Sequence, residues 1–141
     1  MSLKCLIYVS LANQEMSDDH LKSLLAKARA KNESLHITGM LLYRDGFFIQ
    51  ALEGEEADID ALFEVIIVDK RHRDVLKISK KAINQRGFPD WTMGFNKIDD
   101  KDITIVEGFS DFLQRPKSEF EKFKASEAEA LLNQFKHQLL F

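Results

Sequence analysis

Gln50 is the residue whose type and position most clearly point to chemistry. It lies in the stretch GFFIQALEG, residues 46–54, which reads as a strand. Alternate side chains of a strand share a face, so Gln50 lies beside Phe48 and Leu52, and the opposite face is apolar too. An enclosed amide without a hydrogen-bond partner costs about 1 to 3 kcal/mol. We therefore expect Gln50 to bond another side chain or a bound molecule, unless the strand is an edge strand whose amide faces water.

Several other candidate residues have simple structural explanations when each is taken alone. Tyr8 has the type of a core residue of a strand, and Asn32 suits a helix C-cap. The charged run DKRHRD at 69–74 is typical of a solvated helix terminus. Trp91 and Met93 are typical of core packing. A functional interpretation therefore depends on the pattern that these residues form together.

Length and composition indicate one compact domain with an appendage. The chain has 141 residues, of which 45% are hydrophobic and 30% charged, and we place a domain at 1–98 and an extension at 99–141. A net charge of -3 with interspersed signs argues against non-specific nucleic-acid binding. The single cysteine, Cys5, excludes an internal disulfide framework, and no apolar run is long enough to cross a bilayer. We expect a cytoplasmic protein without a signal peptide.

Motifs of the common enzyme classes are missing from the sequence. The six glycines form no GxGxxG, and the four histidines lack metal-ligand spacing with one another, with Cys5 or with nearby carboxylates. No Ser-His-Asp or Cys-His arrangement can be proposed. A conventional enzyme and a metal site are therefore not expected, although fold alone leaves open an acylphosphatase-like small hydrolase.

Hydrophobic periodicity and turn signals place these residues on alternating strands and helices. Ser17 has the type of an N-cap, and Asp45-Gly46 is a strong hairpin signal. The predicted elements are a strand over 3–10, a helix from Ser17 to near Asn32, strands over 36–44 and 47–53, a helix carrying Ile59, Leu62, Phe63 and Ile66, and strands over 75–83 and 91–95.

This order predicts an α+β, ferredoxin-like βαββαββ fold with a mixed five-stranded sheet. Right-handed crossovers place the two helices on one face of the sheet. The other face would be bare, and the extension is suited to cover it with C-terminal helices, since Ser126 and Glu129 form a capping box before an apolar stripe. Contact with a partner or a second copy is the alternative use of that extension.

Four sequence motifs together resemble the BLUF family of blue-light sensors that use a flavin. They are LIYVS near the start, N-x4-ITGMLLY-x2-GFFIQALEG in the middle, DKRH, and WTM near residue 93, and the resemblance covers residues 3–98. Two positions depart from the usual family pattern: Lys31 stands where His or Asn is frequent, and Ala28 where Ser is frequent. These departures affect the surroundings of the cofactor and leave Tyr8, Asn32 and Gln50 in place.

The resemblance implies a cofactor and a set of binding residues. It implies that Gln50 lies between the Tyr8 phenol and the N5/O4 edge of a flavin, and that Asn32 bonds the ring near N3 and O4. The ring would lie between the helices against Leu24, Leu25 and Ile66, an apolar slot with a few polar groups. Asp69, Arg71 and His72 resemble the family segment D-x-R-H, whose acid can reach the ribityl chain and whose arginine the O2 edge. FAD is the expected flavin, with FMN and riboflavin as alternatives.

The resemblance also implies a mechanism. Blue light excites the flavin, Tyr8 gives an electron and then a proton through Gln50, and the pair recombines with Gln50 rotated or tautomerised, which produces a small red shift. Trp91 and Met93 would carry the change to the C-terminal helices and so to an oligomer or a separate downstream protein. The alternative function is a flavin-free enzyme or metabolite-binding domain of the same fold.

Overall fold

The structure, a computed structural model, describes residues 3–14, 16–44, 46–89, 93–97 and Leu132. Its elements follow the predicted order, so the α+β fold is confirmed. They are β1 (Leu3–Ala12), α1 (Asp18–Ser34), β2 (Thr38–Arg44), β3 (Phe47–Glu55), α2 (Glu56–Ile67), β4 (His72–Ala82) and β5 (Gly94–Lys97).

The five strands form one mixed sheet in the order β4-β1-β3-β2-β5. β5 runs parallel to β2, and the other neighbours are antiparallel. β3 is therefore the central strand, and it carries Gln50 directly opposite Tyr8 of β1 and Leu41 of β2. The central position of β3 excludes the edge-strand alternative for Gln50.

The two faces of the sheet carry separate apolar clusters, as the alternation of β3 predicted. The face covered by α1 and α2, here called the helix face, includes Leu6, Tyr8, Leu25, Phe48, Leu52, Ile59 and Leu62. The opposite face, here called the far face, includes Ile7, Val9, Met40, Ile49, Ala51, Phe88 and Leu132.

Several element ends differ from the sequence prediction. α1 begins as predicted, because the Ser17 hydroxyl accepts a hydrogen bond from the His20 N–H at 3.2 Å, but it continues two residues past Asn32. At the hairpin Gly46 has φ +86°, a conformation that glycine adopts readily. The last strand begins after Met93 rather than at residue 91.

One described residue of the extension lies against the sheet. Leu132 is helical and buried on the far face, at 1% exposure. Its position agrees with the prediction that the extension covers this face. The rest of 99–141, including Ser126 and Glu129, lies outside the described residues, and the division at residue 98 stays a prediction.

A buried carboxylate fixes the loop between β4 and β5 to the centre of the sheet. Glu53 is 3% exposed on the far face of β3, and its oxygens accept the N–H groups of Gly87 at 2.6 Å and Phe88 at 2.8 Å. Arg86 donates to the carbonyl oxygens of Glu53 and His36 at 2.8 and 2.7 Å. Paired in this way, a buried charge holds a loop in place.

Gly39 gives a test of the contact between β2 and β3. A Cβ at this position would lie 3.0 Å from the carbonyl carbon of Ala51 and closer still to its oxygen. Backbone cannot yield as a flexible side chain does, so we expect Gly39→Ala to lower the free energy of unfolding by about 1 to 3 kcal/mol in urea titrations. The exposed control Gln85→Ala should change it by less than about 0.5 kcal/mol. An unchanged midpoint for Gly39→Ala would contradict the register.

Candidate functional site

A slot of about 180 Å³ opens between α1 and α2 above the centre of the helix face. Its walls are mainly apolar, and its polar groups come from β1, β3, α1 and the segment after α2. The predicted site residues that line it are Tyr8, Leu24, Asn32, Gln50, Ile66, Asp69, Arg71 and His72. Ala28 and Lys31, where the sequence departs from the family pattern, line it as well.

Leu25 differs from its predicted role as a slot residue. It is fully buried in the cluster of the helix face and is not among the residues that line the slot. Successive helix residues are turned by about 100°, so Leu24 faces the slot whereas Leu25 faces the sheet. Leu25 therefore supports the slot from the core.

Gln50 is held at both ends of its amide. The Tyr8 hydroxyl donates to Gln50 Oε1, and Gln50 Nε2 donates to the Met93 sulfur at 3.3 Å. The Gln50 side chain is buried, at 6% exposure. A thioether is a weak acceptor and cannot donate, so the nitrogen end is held more loosely than the oxygen end.

The surroundings of Tyr8 keep its phenol neutral. Burial raises the pKa of Tyr8 well above its usual value, and the negative charge of Asp69 raises it further. The centroid of the Phe63 ring lies 5.6 Å from the centroid of the Tyr8 ring. The centroid of the His72 ring lies 6.4 Å from it, with the two rings in an edge-on arrangement. A neutral phenol is a hydrogen-bond donor, as the contact with Gln50 requires.

An ion pair lies in the segment that follows α2. Arg71 Nε lies 3.0 and 3.1 Å from the two carboxylate oxygens of Asp69. This hydrogen bonding lowers the pKa of Asp69 and raises that of Arg71. The pair is partly exposed, so its contribution to stability is small. The ion pair places one negative and one positive charge side by side at the wall of the slot.

His72 links β1 to the end of α2. Its Nε2 donates to the Ile66 carbonyl oxygen, which fixes the proton on that nitrogen because a carbonyl cannot donate. Its Nδ1 lies 2.9 Å from the hydroxyl of Ser10, which is fully buried. In this tautomer Nδ1 accepts a hydrogen bond from the Ser10 hydroxyl, and the imidazole bridges the strand and the helix.

Three residues with structural roles around the site were not singled out from the sequence. Arg29 Nε donates to the Met93 carbonyl oxygen at 2.9 Å and so holds Met93 from α1. Ser10 orients His72, and Glu53 anchors the loop before β5. Glu53 could have been found by the test applied to Gln50, a polar residue on an apolar strand face. Arg29 had no such signal, because its partner depends on the route of the chain after Pro89.

The chemistry of the slot fits a planar heterocycle with apolar faces and polar edges. Leu24 and Ile66 offer apolar walls, and the amides of Asn32 and Gln50 can each donate and accept. Flavin rings have this character. Among the residues that the structure describes, no cluster of three His, Cys, Asp or Glu could hold a metal ion. Within the same residues no helix is both long and apolar enough to cross a membrane. Trp91 lies outside the described residues.

The raised pKa of Tyr8 predicts how the protein responds to alkali. An unfolded phenol ionises near pH 10, so the stability that Tyr8 contributes is complete below about pH 10 and is lost as the pH rises toward its folded pKa. In ultraviolet titrations, the difference between the wild type and Tyr8→Phe should show no phenolate at about pH 10.5 while the protein stays folded. The remaining tyrosine, Tyr43, is common to both proteins. A Tyr8 phenolate signal in the folded protein near pH 10 would contradict the assignment.

Two curated relatives match more than half of the chain. A photoactivated adenylate cyclase subunit beta of Euglena longa is 38% identical over 93 residues, which are 65% of this chain and 11% of the relative. A photoactivated adenylate cyclase subunit alpha of Euglena gracilis is 43% identical over 81 residues, which are 57% of this chain and 8% of the relative. The chain therefore spans about a tenth of the length of these two relatives.

Solved structures match over nearly the whole chain. The photo-activated state of BlsA has a TM-score of 0.79 and 26% identity, with 99% of this chain and 98% of that chain covered. The dark-state structure of BlrB, a BLUF protein, has a TM-score of 0.72 and 28% identity, with 92% and 96% covered.

The family comparison agrees with the sequence motifs and with the slot. The profile described as BLUF, sensors of blue-light using FAD, matches residues 3–94. The prediction of a flavin-using blue-light sensor is thereby confirmed, and the flavin-free alternative is disfavoured. The chain belongs to the BLUF family of blue-light sensors that use a flavin.

Proposed function

We propose that the Gln50 amide is the group that light switches in this sensor and that Met93 responds to the orientation of this amide. The observation that carries the proposal is the chain of contacts from the Tyr8 hydroxyl through the Gln50 amide to the Met93 sulfur. These groups are buried at 4%, 6% and 1% exposure, so water does not compete for their hydrogen bonds.

The cofactor, FAD by the family description, would be held by the residues of the slot. Asn32 and Gln50 would bond its polar edge, and Leu24 and Ile66 would contact its ring. Asp69, Arg71 and His72 would complete the site on the side of α2. When bound, the flavin supplies the absorption of blue light and an acceptor for one electron.

Tyr8 and Gln50 can then move a proton and exchange partners. Tyr8 would give up an electron to the bound flavin, and its phenolic proton would move to Gln50 Oε1 along the existing hydrogen bond. When the electron and a proton return to Tyr8, the amide would be left rotated, or in its tautomeric form if the proton that it gives up comes from Nε2 rather than from Oε1. In the rotated form an oxygen faces the Met93 sulfur, and since neither atom is a donor this contact is lost.

The energy available for signalling is modest. A change of this kind in buried hydrogen bonds is worth about 1 to 3 kcal/mol. It would bias a two-state element by roughly tenfold to a hundredfold. Met93 is positioned to be part of that element because Arg29 holds its backbone and Gln50 holds its side chain. Trp91 stays a predicted second member.

The output would pass through the extension to another protein or to a second copy of the chain. The relatives named as photoactivated cyclase subunits support an effector as the recipient. The proposed signalling role makes the domain itself a sensor rather than an enzyme. A cytoplasmic location stays a prediction that rests on cysteine usage.

Removing the Tyr8 hydroxyl tests the switch. The purified wild type should be yellow, shift slightly to the red under blue light and recover in the dark. Tyr8→Phe should keep the flavin and lose the red shift, because the donor to Gln50 is gone. Tyr43→Phe is a matched control: Tyr43 is also buried on the helix face, but its hydroxyl accepts from the Met16 N–H at 2.9 Å. A normal photocycle in Tyr8→Phe, or a wild type that stays colourless with added flavin, would reject the proposal.

Shortening Met93 separates switching from output. We expect Met93→Ala to retain most of the red shift, since Tyr8 and Gln50 remain, and to weaken the light-induced change in hydrogen exchange over 99–141. Val75→Ala, which shortens a partly buried residue of the helix face that does not line the slot, controls for a general loss of packing. A light-induced exchange change equal to that of the wild type would mean that Met93 does not transmit the signal.

A further inference from the structure

The strand that follows Met93 is the shortest of the sheet. β5 has four residues and lies at an edge, next to β2. A short edge strand makes few hydrogen bonds of its own, so its place depends strongly on the contacts at its ends. Met93 precedes its first residue and is bonded at two points: its sulfur accepts from Gln50 Nε2 at 3.3 Å, and its carbonyl oxygen accepts from Arg29 Nε at 2.9 Å.

The two bonds to Met93 differ in strength. A thioether is a weak acceptor, whereas a bond donated by a guanidinium is charge-assisted and about twice as strong as a neutral one. Met93 is buried and Arg29 is half-buried, so water competes little for either bond. In the proposed switch the turned amide loses the sulfur, but nothing in that step removes the bond from Arg29. Arg29 can therefore keep Met93 within reach of Gln50 in both states.

Arg29 extends from a well-anchored part of α1. Leu25 lies one turn before it and Asn32 one turn after it, and both are buried. The same stretch of helix gives Ala28 and Asn32 to the wall of the slot. Because this backbone is fixed, the bond from Arg29 ties the segment before β5 to the slot wall.

We propose that Arg29 is a positioning residue of the light switch. Its bond to the Met93 carbonyl holds the start of β5 on α1, so that the Met93 sulfur meets the Gln50 amide in the dark. The inference rests on the proposed function. Without this bond, Met93 would spend part of the time away from the amide, and β5 would open more often before any light arrives. The light-induced change at β5 would then be smaller, because part of it has already taken place.

The test is hydrogen exchange of the flavin-loaded full chain in the dark and under blue light. Arg29→Met keeps an unbranched side chain but removes the donor. It should retain the flavin and the red shift, since Tyr8 and Gln50 remain. Dark exchange of the amides of 94–97 should become about tenfold faster, because a charge-assisted hydrogen bond is lost, and the light-induced change there should shrink. Wild-type exchange of 94–97 in both conditions would overturn the inference.

Three further variants separate positioning from a general loss of stability. Lys22→Met removes a cation about 10 Å farther toward the start of α1 and should match the wild type. Arg29→Lys keeps a cationic donor and should restore most of the dark protection. A rise in exchange that spreads equally over β1 and β3 in Arg29→Met would mean a general structural role and would reject the inference. Arg29→Gln, which also lacks the cation, is measured in the same way if Arg29→Met does not fold.

A double-variant cycle tests whether Arg29 acts through the Met93 sulfur. Met93→Leu removes the sulfur at similar volume. In that background Arg29→Met should cause no further loss of the light-induced change at 94–97, because no sulfur remains to be positioned. A full additional loss would mean that Arg29 acts independently of the Gln50–Met93 contact, and the positioning role would be rejected.

The outcomes distinguish this inference from the proposed function. If the wild type shows the red shift and Arg29→Met behaves like the wild type at 94–97, the switch stands and the positioning role is rejected. If the wild type shows the red shift and the effect of Arg29→Met is confined to 94–97, both stand. If the wild type shows no red shift, both are rejected.

Discussion

The need to satisfy a buried amide governs the arrangement around the centre of this sheet. Gln50 lies on the central strand and is 6% exposed, so the donor and acceptor groups of its amide must be paired. The register of β1 brings the Tyr8 hydroxyl to its oxygen, and the loop after β4 brings Met93 to its nitrogen. The interior of the protein thus contains a polar group with two unequal partners, one strong and one weak. An amide with unequal partners can exchange them at low cost, which is the property a sensor needs.

The two faces of the sheet differ in what lies against them. The helix face supplies the slot, because α1 and α2 stand apart enough to leave space between apolar walls. The far face is packed with aliphatic side chains and includes Leu132 of the extension. The slot on one face and Leu132 on the other are therefore separated by a single layer of strands. Met93 belongs to the cluster of the helix face and directly precedes β5, so it lies between the slot and the last strand.

Sequence reasoning predicted the fold from local patterns, and it predicted most of the slot residues from the resemblance to the family. The alternation around Gln50 and the 3.6-residue periodicity of α1 and α2 are readable in one dimension. Leu24 and Leu25 show the limit of such reasoning: both satisfy the apolar periodicity, and only the angle at which α1 crosses the sheet decides which one faces the slot. The start of β5 after Met93 and the bond from Arg29 to the Met93 backbone depend on the path of a loop, which no local pattern encodes. The residue roles at the slot came from the family motifs rather than from periodicity.

Glu53 links the position of the strand that carries Gln50 to the position of the loop before β5. It lies three residues from Gln50 on β3 but faces the opposite side, where it holds Gly87 and Phe88. The strand that carries Gln50 therefore also anchors the loop that leads to Met93. A displacement of β3 therefore acts on Gln50 and on the Gly87–Phe88 segment together. We expect the Gln50–Met93 contact to be less sensitive to motion of β3 than to a change of the amide itself.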